Sequence, residues 1–171
     1  MNRPQPHLPA ALDHFKGRLL DRLAASIARR SVGIMAQELL NQHTVFGHAD
    51  RVHVASTAVV NNVVFNTVSG EITVENWVMI AHGVHLVTGE HDITKFGVER
   101  QLAAPYYERD IVIEEGAWLA TNVIVLGPCR VGKHAVVAAG SLVRTDVPAY
   151  SVFAGVPARQ VASVPHPATG R

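Results

Sequence analysis

A single cysteine, Cys129, occurs among the 171 residues, so no disulfide framework holds the chain together, and a lone thiol fits a reducing compartment. Charge is sparse too. Asp, Glu, Lys and Arg make up 17% of the residues and nearly cancel, to a formal net charge of +1. That balance offers no basic face for a nucleic-acid backbone. No apolar run reaches the roughly 20 residues that cross a bilayer as a helix. Asp13, Lys16, Arg18, Asp21 and Arg22 break up the stretch where a secretory signal carries its apolar segment. Together these absences predict a cytoplasmic protein that neither binds nucleic acid nor inserts into a membrane. What is present is 48% hydrophobic content, enough for one substantial core. Arginine also outnumbers lysine, which makes planar cations available to phosphate groups.

The N-terminal part has helical spacing. Leu12, Phe15, Leu19, Leu23 and Ile27 recur at intervals of three and four with charges between them. Ser31 and Gly33 interrupt the pattern, and Ile34, Met35, Leu39 and Leu40 predict a second, shorter helix. Residues 1–48 therefore read as a helical cap. A membrane-surface anchor is the alternative raised by Arg18, Arg22, Arg29 and Arg30, but acids are interspersed among them.

A different period follows. Ile113, Leu119, Val125, Val131, Val137 and Val143 stand six residues apart without a break. Four positions after each comes a compact residue: Ala117, Val123, Cys129, Ala135, Ser141 and Val147. Neither a helix nor an alternating strand has a period of six. A triangular coil does, with six residues to a flat side, one aliphatic side chain pointing inward and a compact residue at the corner. Three sides make a turn, and turns stack at about 4.8 Å by strand pairing. Stacking, rather than any single repeat, buries the aliphatic column. Upstream the template places Val54 and Val60 inward with Ala58 and Val64 at corners. After a slip of two residues, Val68, Val74, Ile80 and Leu86 continue it. The fold expected is mainly β, a coil over residues 49–164 with N-terminal helices, and a flexible tail over 165–171. A polar excursion without repeat, residues 88–110, protrudes from the rigid coil, where function usually sits. By this reading Cys129 and Ser141 are corner fillers, not nucleophiles.

The run from Ile111 to Val161, and VPAYSVFAGVPAR within it (residues 147–159) above all, resembles the C-terminal half of hexapeptide-repeat acetyltransferases. Those include the galactoside and maltose, nodulation and capsule, and xenobiotic acetyltransferases. The resemblance covers residues 54–163. It implies a left-handed parallel β-helix, acetyl-coenzyme A as co-substrate, no metal, a small hydroxyl-bearing acceptor, and a homotrimer with active sites between adjacent prisms. By the same likeness His91, which follows the stretch Ile80–Glu90 at the start of the excursion, takes the catalytic place. Trp118 lies near the reaction centre, and Ala120 and Ala138 line the pantetheine arm. Arg144, Thr145 and Arg159 fall by the coenzyme phosphates and adenine. The family commonly has threonine then lysine before the residue matching Asp146, whereas this chain has Arg144 then Thr145. Asn66, His82 and Asp92 are candidates for holding the acceptor, with Asn61 and Asn62 as alternatives to Asn66.

The chemistry suits these residues. An alcohol is a weak nucleophile near neutrality and a thioester is an activated acyl donor, so the missing component is a base at the hydroxyl. Imidazole is that base most often. Its other nitrogen needs an orienting partner, for which Glu90, Asp92 or a backbone carbonyl can serve. Backbone N–H groups of the coil would stabilise the oxyanion. Two other readings have distinct signatures. A zinc hydratase on the same coil needs three histidines from two subunits, but the spacing of His82 and His85 does not match that ligand set. A non-catalytic trimeric scaffold would not bind acetyl-coenzyme A.

Overall fold

The computed structural model describes residues 20–32, 43–104 and 108–165. Residues 20–32 form a helix, α1, in a unit distinct from the one that begins at Asn41. The second helix expected around Ile34–Leu40, the start of the first, Pro105, Tyr106 and Tyr107 in the excursion, and most of the 165–171 tail lie outside the described residues.

From Thr44 onward the chain climbs in triangular turns made of very short strands. The first turn holds β1 (Thr44–Phe46), β2 (Val52–Val54) and β3 (Val59–Val60). The second holds β4 (Val64–Asn66), β5 (Ile72–Val74) and β6 (Met79–Ile80). The third opens with β7 (His85–Val87), is interrupted by the excursion carrying α2 (Gly97–Leu102), and resumes with β8 (Ile111–Ile113) and β9 (Trp118–Leu119). The fourth comprises β10 (Ile124–Leu126), β11 (Cys129–Val131) and β12 (Val136–Val137). The last has β13 (Leu142–Val143), a single bridge at Val147, and β14 (Ser151–Gly155), against which β15 (Ala158–Ser163) folds back antiparallel. Every third strand pairs in parallel, giving sheets β1-β4-β7-β10-β13, β2-β5-β8-β11 and β3-β6-β9-β12-β14-β15. This is a parallel β-solenoid of about five turns, consistent with a left-handed β-helix.

Physical necessity accounts for the period. A side of two or three paired residues buries one central side chain, and the next turn must present another directly above it. Phe65, Leu86 and Val125 stack in one such column, and Ile80, Leu119 and Val137 in another. The six inward residues read from the sequence, Ile113 through Val143, are all buried. So are the corner residues Ala117, Val123, Cys129, Ala135, Ser141 and Val147, none more than 4% exposed. Corners bend because the residue before the compact one takes the left-handed conformation: Asn62, Gly83, Asn122 and Gly140 on one edge, Trp77, Gly116, His134 and Tyr150 on another. At Gly116, with φ +69°, a β-carbon would also collide with the His134 ring stacked on it. Where pairing leaves main-chain N–H groups open, carboxylates accept them. Asp110 takes the N–H of Glu71 at 2.8 Å, Glu114 that of Lys133 at 2.9 Å, and Asp146 that of Arg130 at 2.8 Å.

The second turn departs from the expected register. Val54 keeps its expected place, paired with the inward Val74 but 40% exposed in the terminal turn, whereas Val64 and Val68 are only half-buried. Phe65 takes the inward place and Val63 the corner, both fully buried. The chain turns from Val60 to Phe65 in five positions instead of six, then spends nine reaching Val74. Counting sixes through aliphatic residues passes over an inward phenylalanine.

Cys129 behaves as the filler it was expected to be. Its thiol donates to the Thr145 carbonyl at 3.4 Å. Burial, aided by the charge of Asp146, pushes it up from 9.0 to about 12. The thiol should therefore resist alkylation at pH 8 in the native protein and react on unfolding, as mass spectrometry of iodoacetamide-treated samples will show. Because the native state keeps its proton where the unfolded chain loses it, stability is complete below pH 9 and falls as pH rises toward about 12. The register makes a second prediction. Phe65→Ala should cost about 3–5 kcal/mol in urea denaturation, and Val68→Ala less than about 1.5 kcal/mol. Equal costs would contradict the inward placement of Phe65.

Candidate active site

The excursion leaves the coil at the end of β7 and returns at β8 beside its own root. Thr88, fully buried, donates its hydroxyl to the Asn66 carbonyl on the turn below at 2.7 Å and accepts the Ser69 N–H at 3.2 Å. Arg109 closes the root: its Nε donates to the Thr88 carbonyl at 2.9 Å and its guanidinium pairs with Glu90. Farther out, the N–H of Asp92 reaches the Ala103 carbonyl at 3.2 Å. Asp92 Oδ1 accepts the Thr94 hydroxyl at 2.6 Å and the Thr94 N–H at 2.9 Å, and these bonds hold its carboxyl below the usual range.

His91 sits between these ties. Its Nδ1 lies 2.9 Å from the Arg100 carbonyl. A carbonyl only accepts, so the contact requires a proton on Nδ1, and in the neutral imidazole that leaves Nε2 with its lone pair. Of the three partners the sequence allows, the backbone carbonyl is the one used, while Glu90 is committed to Arg109 and Asp92 to Thr94. A cleft of about 390 Å³ opens here, lined by Glu90, His91, Asp92, Ile93, Lys95, Ala103 and Ala104. Its walls combine an imidazole, carboxylates, an ammonium group and short apolar surface, a combination suited to a small polar molecule with a transferable proton.

Other residues read from the sequence fall into two groups. Asn66 lies under the excursion. A β-carbon at Gly89 would come within 2.6 Å of Asn66 Oδ1, so the glycine lets the chain pass over that amide two residues before His91. Asp92 stands in the cleft wall. Arg144 and Thr145 follow β13 on the edge from which the excursion departs. Thr145 lines a shallow concavity of about 590 Å³ with Arg130 and Asp146. His82 belongs to another edge, at the corner between β6 and β7, with β7 between it and His91. On that edge too, Ala120 and Ala138 are half-buried in one column with Ala81, linked through main-chain bonds of consecutive turns. Arg159 stands opposite Ala154 at the top of the column. Trp118, 45% exposed, faces outward on the neighbouring sheet between Met79 and Val136. One chain thus brings His91 and Asp92 to one cleft, with Asn66 beneath Gly89 at its root, and keeps Trp118, Ala120, Ala138, Arg159 and His82 a prism side away.

Two residues that bind the loop, Arg100 and Arg109, had no assigned role in the sequence. Both act on main-chain carbonyls, and no spacing rule marks such contacts. Among the described residues, no group of three or more His, Cys, Asp or Glu side chains is placed to hold a metal ion, and no helix is long and apolar enough to cross a membrane.

Comparison with known proteins falls on the same stretch of chain. Residues 110–145 match the family described as bacterial transferase hexapeptide (six repeats). A galactoside O-acetyltransferase of Lactococcus lactis is 38% identical over 91 residues, covering 51% of this chain and 41% of that one. The chain spans less than half the length of the curated relatives it matches. Among solved structures, a hexapeptide-repeat-containing acetyltransferase from Vibrio cholerae superposes with a TM-score of 0.59 and 26% identity, over 72% of each chain. A structure of such an enzyme from Vibrio cholerae O1 biovar eltor, complexed with acetyl coenzyme A, shares the fold with a TM-score of 0.52 and 24% identity. It covers 80% of this chain and 79% of that one. Period, coil and matches coincide: the chain carries hexapeptide repeats over residues 110–145 and is similar over its coil to acetyltransferases of that type.

Proposed function

We propose that the protein is an acetyl-coenzyme A-dependent acyltransferase that acetylates a hydroxyl of a small acceptor, such as a sugar, by direct transfer with His91 as general base. The observation that carries this reading is the contact of His91 Nδ1 with the Arg100 carbonyl beside a cleft that His91 lines, which in the neutral ring leaves Nε2 for the acceptor's proton. Nε2 takes the acceptor's hydroxyl proton as its oxygen attacks the thioester carbonyl. The tetrahedral intermediate collapses with cleavage of the C–S bond, and the imidazolium returns the proton to the departing thiolate. No covalent acyl-enzyme is needed, in keeping with a Cys129 thiol buried and pushed up to about 12.

Coenzyme chemistry supports the rest of the assignment. A pantetheine arm is long and thin, and the half-buried Ala120 and Ala138 present a column of small side chains along one edge for it to lie on. Arg144, Thr145 and Arg159 offer cations and a hydroxyl to phosphates, and Trp118 an exposed ring near the reacting end. Asn66, Asp92 and His82 are the acceptor-side candidates. Because one chain carries the base on one edge and the small-residue column on another, a complete site calls for a neighbouring copy, and the assembly proposed is a homotrimer in the cytoplasm.

His91→Ala should lower turnover on the best acceptor by about 10²–10⁴-fold while leaving acetyl-coenzyme A binding by calorimetry intact. Full turnover in that variant would refute the base assignment. Light scattering should give three times the 18.4 kDa chain mass. A fully active monomer would remove the case for a shared site.

A further inference from the structure

We infer that Arg100 is a positioning residue for His91: its guanidinium fixes the end of α2 so that its own carbonyl holds the imidazole in the tautomer a base requires. This rests on the reading of His91 as base. The carbonyl is available because α2 has only six residues, and carbonyls of the last helical turn have no partner within the helix. Availability alone does not fix its position. The Arg100 side chain folds back over the segment before the helix, where Nε donates to the Lys95 carbonyl at 2.6 Å and a terminal nitrogen to the Ile93 carbonyl at 3.2 Å. The guanidinium carbon lies 4.9 Å from the centre of the Phe96 ring. Residue 100 therefore grips residues 93 to 96 with its side chain and residue 91 with its main chain. The result is a closed ring of contacts around the cleft that Ile93 and Lys95 help to line.

Removing the guanidinium opens that ring. The last turn of α2 then loses its tether to Ile93 and Lys95, and the Nδ1–H loses a partner held in place. An imidazole without that partner is free to carry its proton on Nε2, which makes the nitrogen facing the acceptor a donor instead of a base. Lysine does not restore the arrangement, since it lacks the planar fork that satisfies two carbonyls and lies flat on a ring. Arg109 is a separate device, because it ties the root of the excursion through Thr88 and Glu90 and touches none of the Arg100 partners.

The test uses the full chain labelled with 15N-histidine, His91→Ala to assign the resonance, and the variants Arg100→Met and Arg100→Lys. Long-range 1H–15N spectra of the native protein should show neutral His91 protonated at Nδ1, and Arg100→Met should shift the proton toward Nε2. In steady-state assays kcat should fall about 10–100-fold in Arg100→Met with KM for acetyl-coenzyme A changed less than twofold. Arg100→Lys should fall between, and it supplies the same readouts if the methionine variant does not fold. Native tautomer and native kcat in an Arg100 variant, beside an inactive His91→Ala, would overturn this inference and leave the base reading standing. Full turnover in His91→Ala would instead overturn the base reading, and the tautomer contrast would then report Arg100's hold on the imidazole alone.

Discussion

The structure depends on one repeated contact: an aliphatic side chain resting on the one a turn below. A side of two or three paired residues has too little hydrogen bonding and too little buried surface to persist alone. Stacked in register, the sides share columns that run from the first turn to the last, and each turn is the template for the next. This explains why the inward residues tolerate so little variety, and why the corners combine a compact side chain with a left-handed residue before it. It also explains why carboxylates gather where main-chain N–H groups would otherwise be left open.

A coil of this kind is rigid and has little room for chemistry on its flat sides. The excursion between β7 and β8 supplies what the sides lack. It is inserted without disturbing the stack, because Asp110 and Ile111 rejoin the coil over Glu71, one turn above where the chain had already passed. Arg109 gathers both ends of the insertion, so its length is not transmitted to the coil as strain. Its outer part is organised mainly by main-chain carbonyls accepting from side chains, with His91 and Arg100 as donors and the orphaned end of a short helix as one acceptor.

The distribution of features over the edges of the prism shapes the functional reading. The imidazole and its cleft belong to the edge where the first side of a turn ends. The small-residue column of Ala81, Ala120 and Ala138 belongs to the edge where that side begins. A rigid coil cannot fold one edge onto the other, so a site that uses both must draw them from different copies. The homotrimer proposed for this protein rests on that geometry.

Much of this was written in the residues themselves. The period of six, the inward aliphatics from Ile113 to Val143, the compact corners including Cys129, and the break of register after Leu86 follow from local identity alone, because each repeat meets a near-copy of itself. The place of His91 at the start of the excursion was legible by resemblance. The second turn was not, since a corner one residue short brings Phe65 inward, and such shortening carries no periodic mark. The partner of His91 was open among Glu90, Asp92 and a carbonyl, all plausible neighbours in sequence. Tertiary structure decided it by engaging Glu90 with Arg109 and bringing the Arg100 carbonyl to Nδ1 from nine residues away. Repetition makes a fold readable from sequence because the same contact recurs many times. A loop held by single contacts between main chain and side chain occurs once, and only its three-dimensional closure determines which atoms meet.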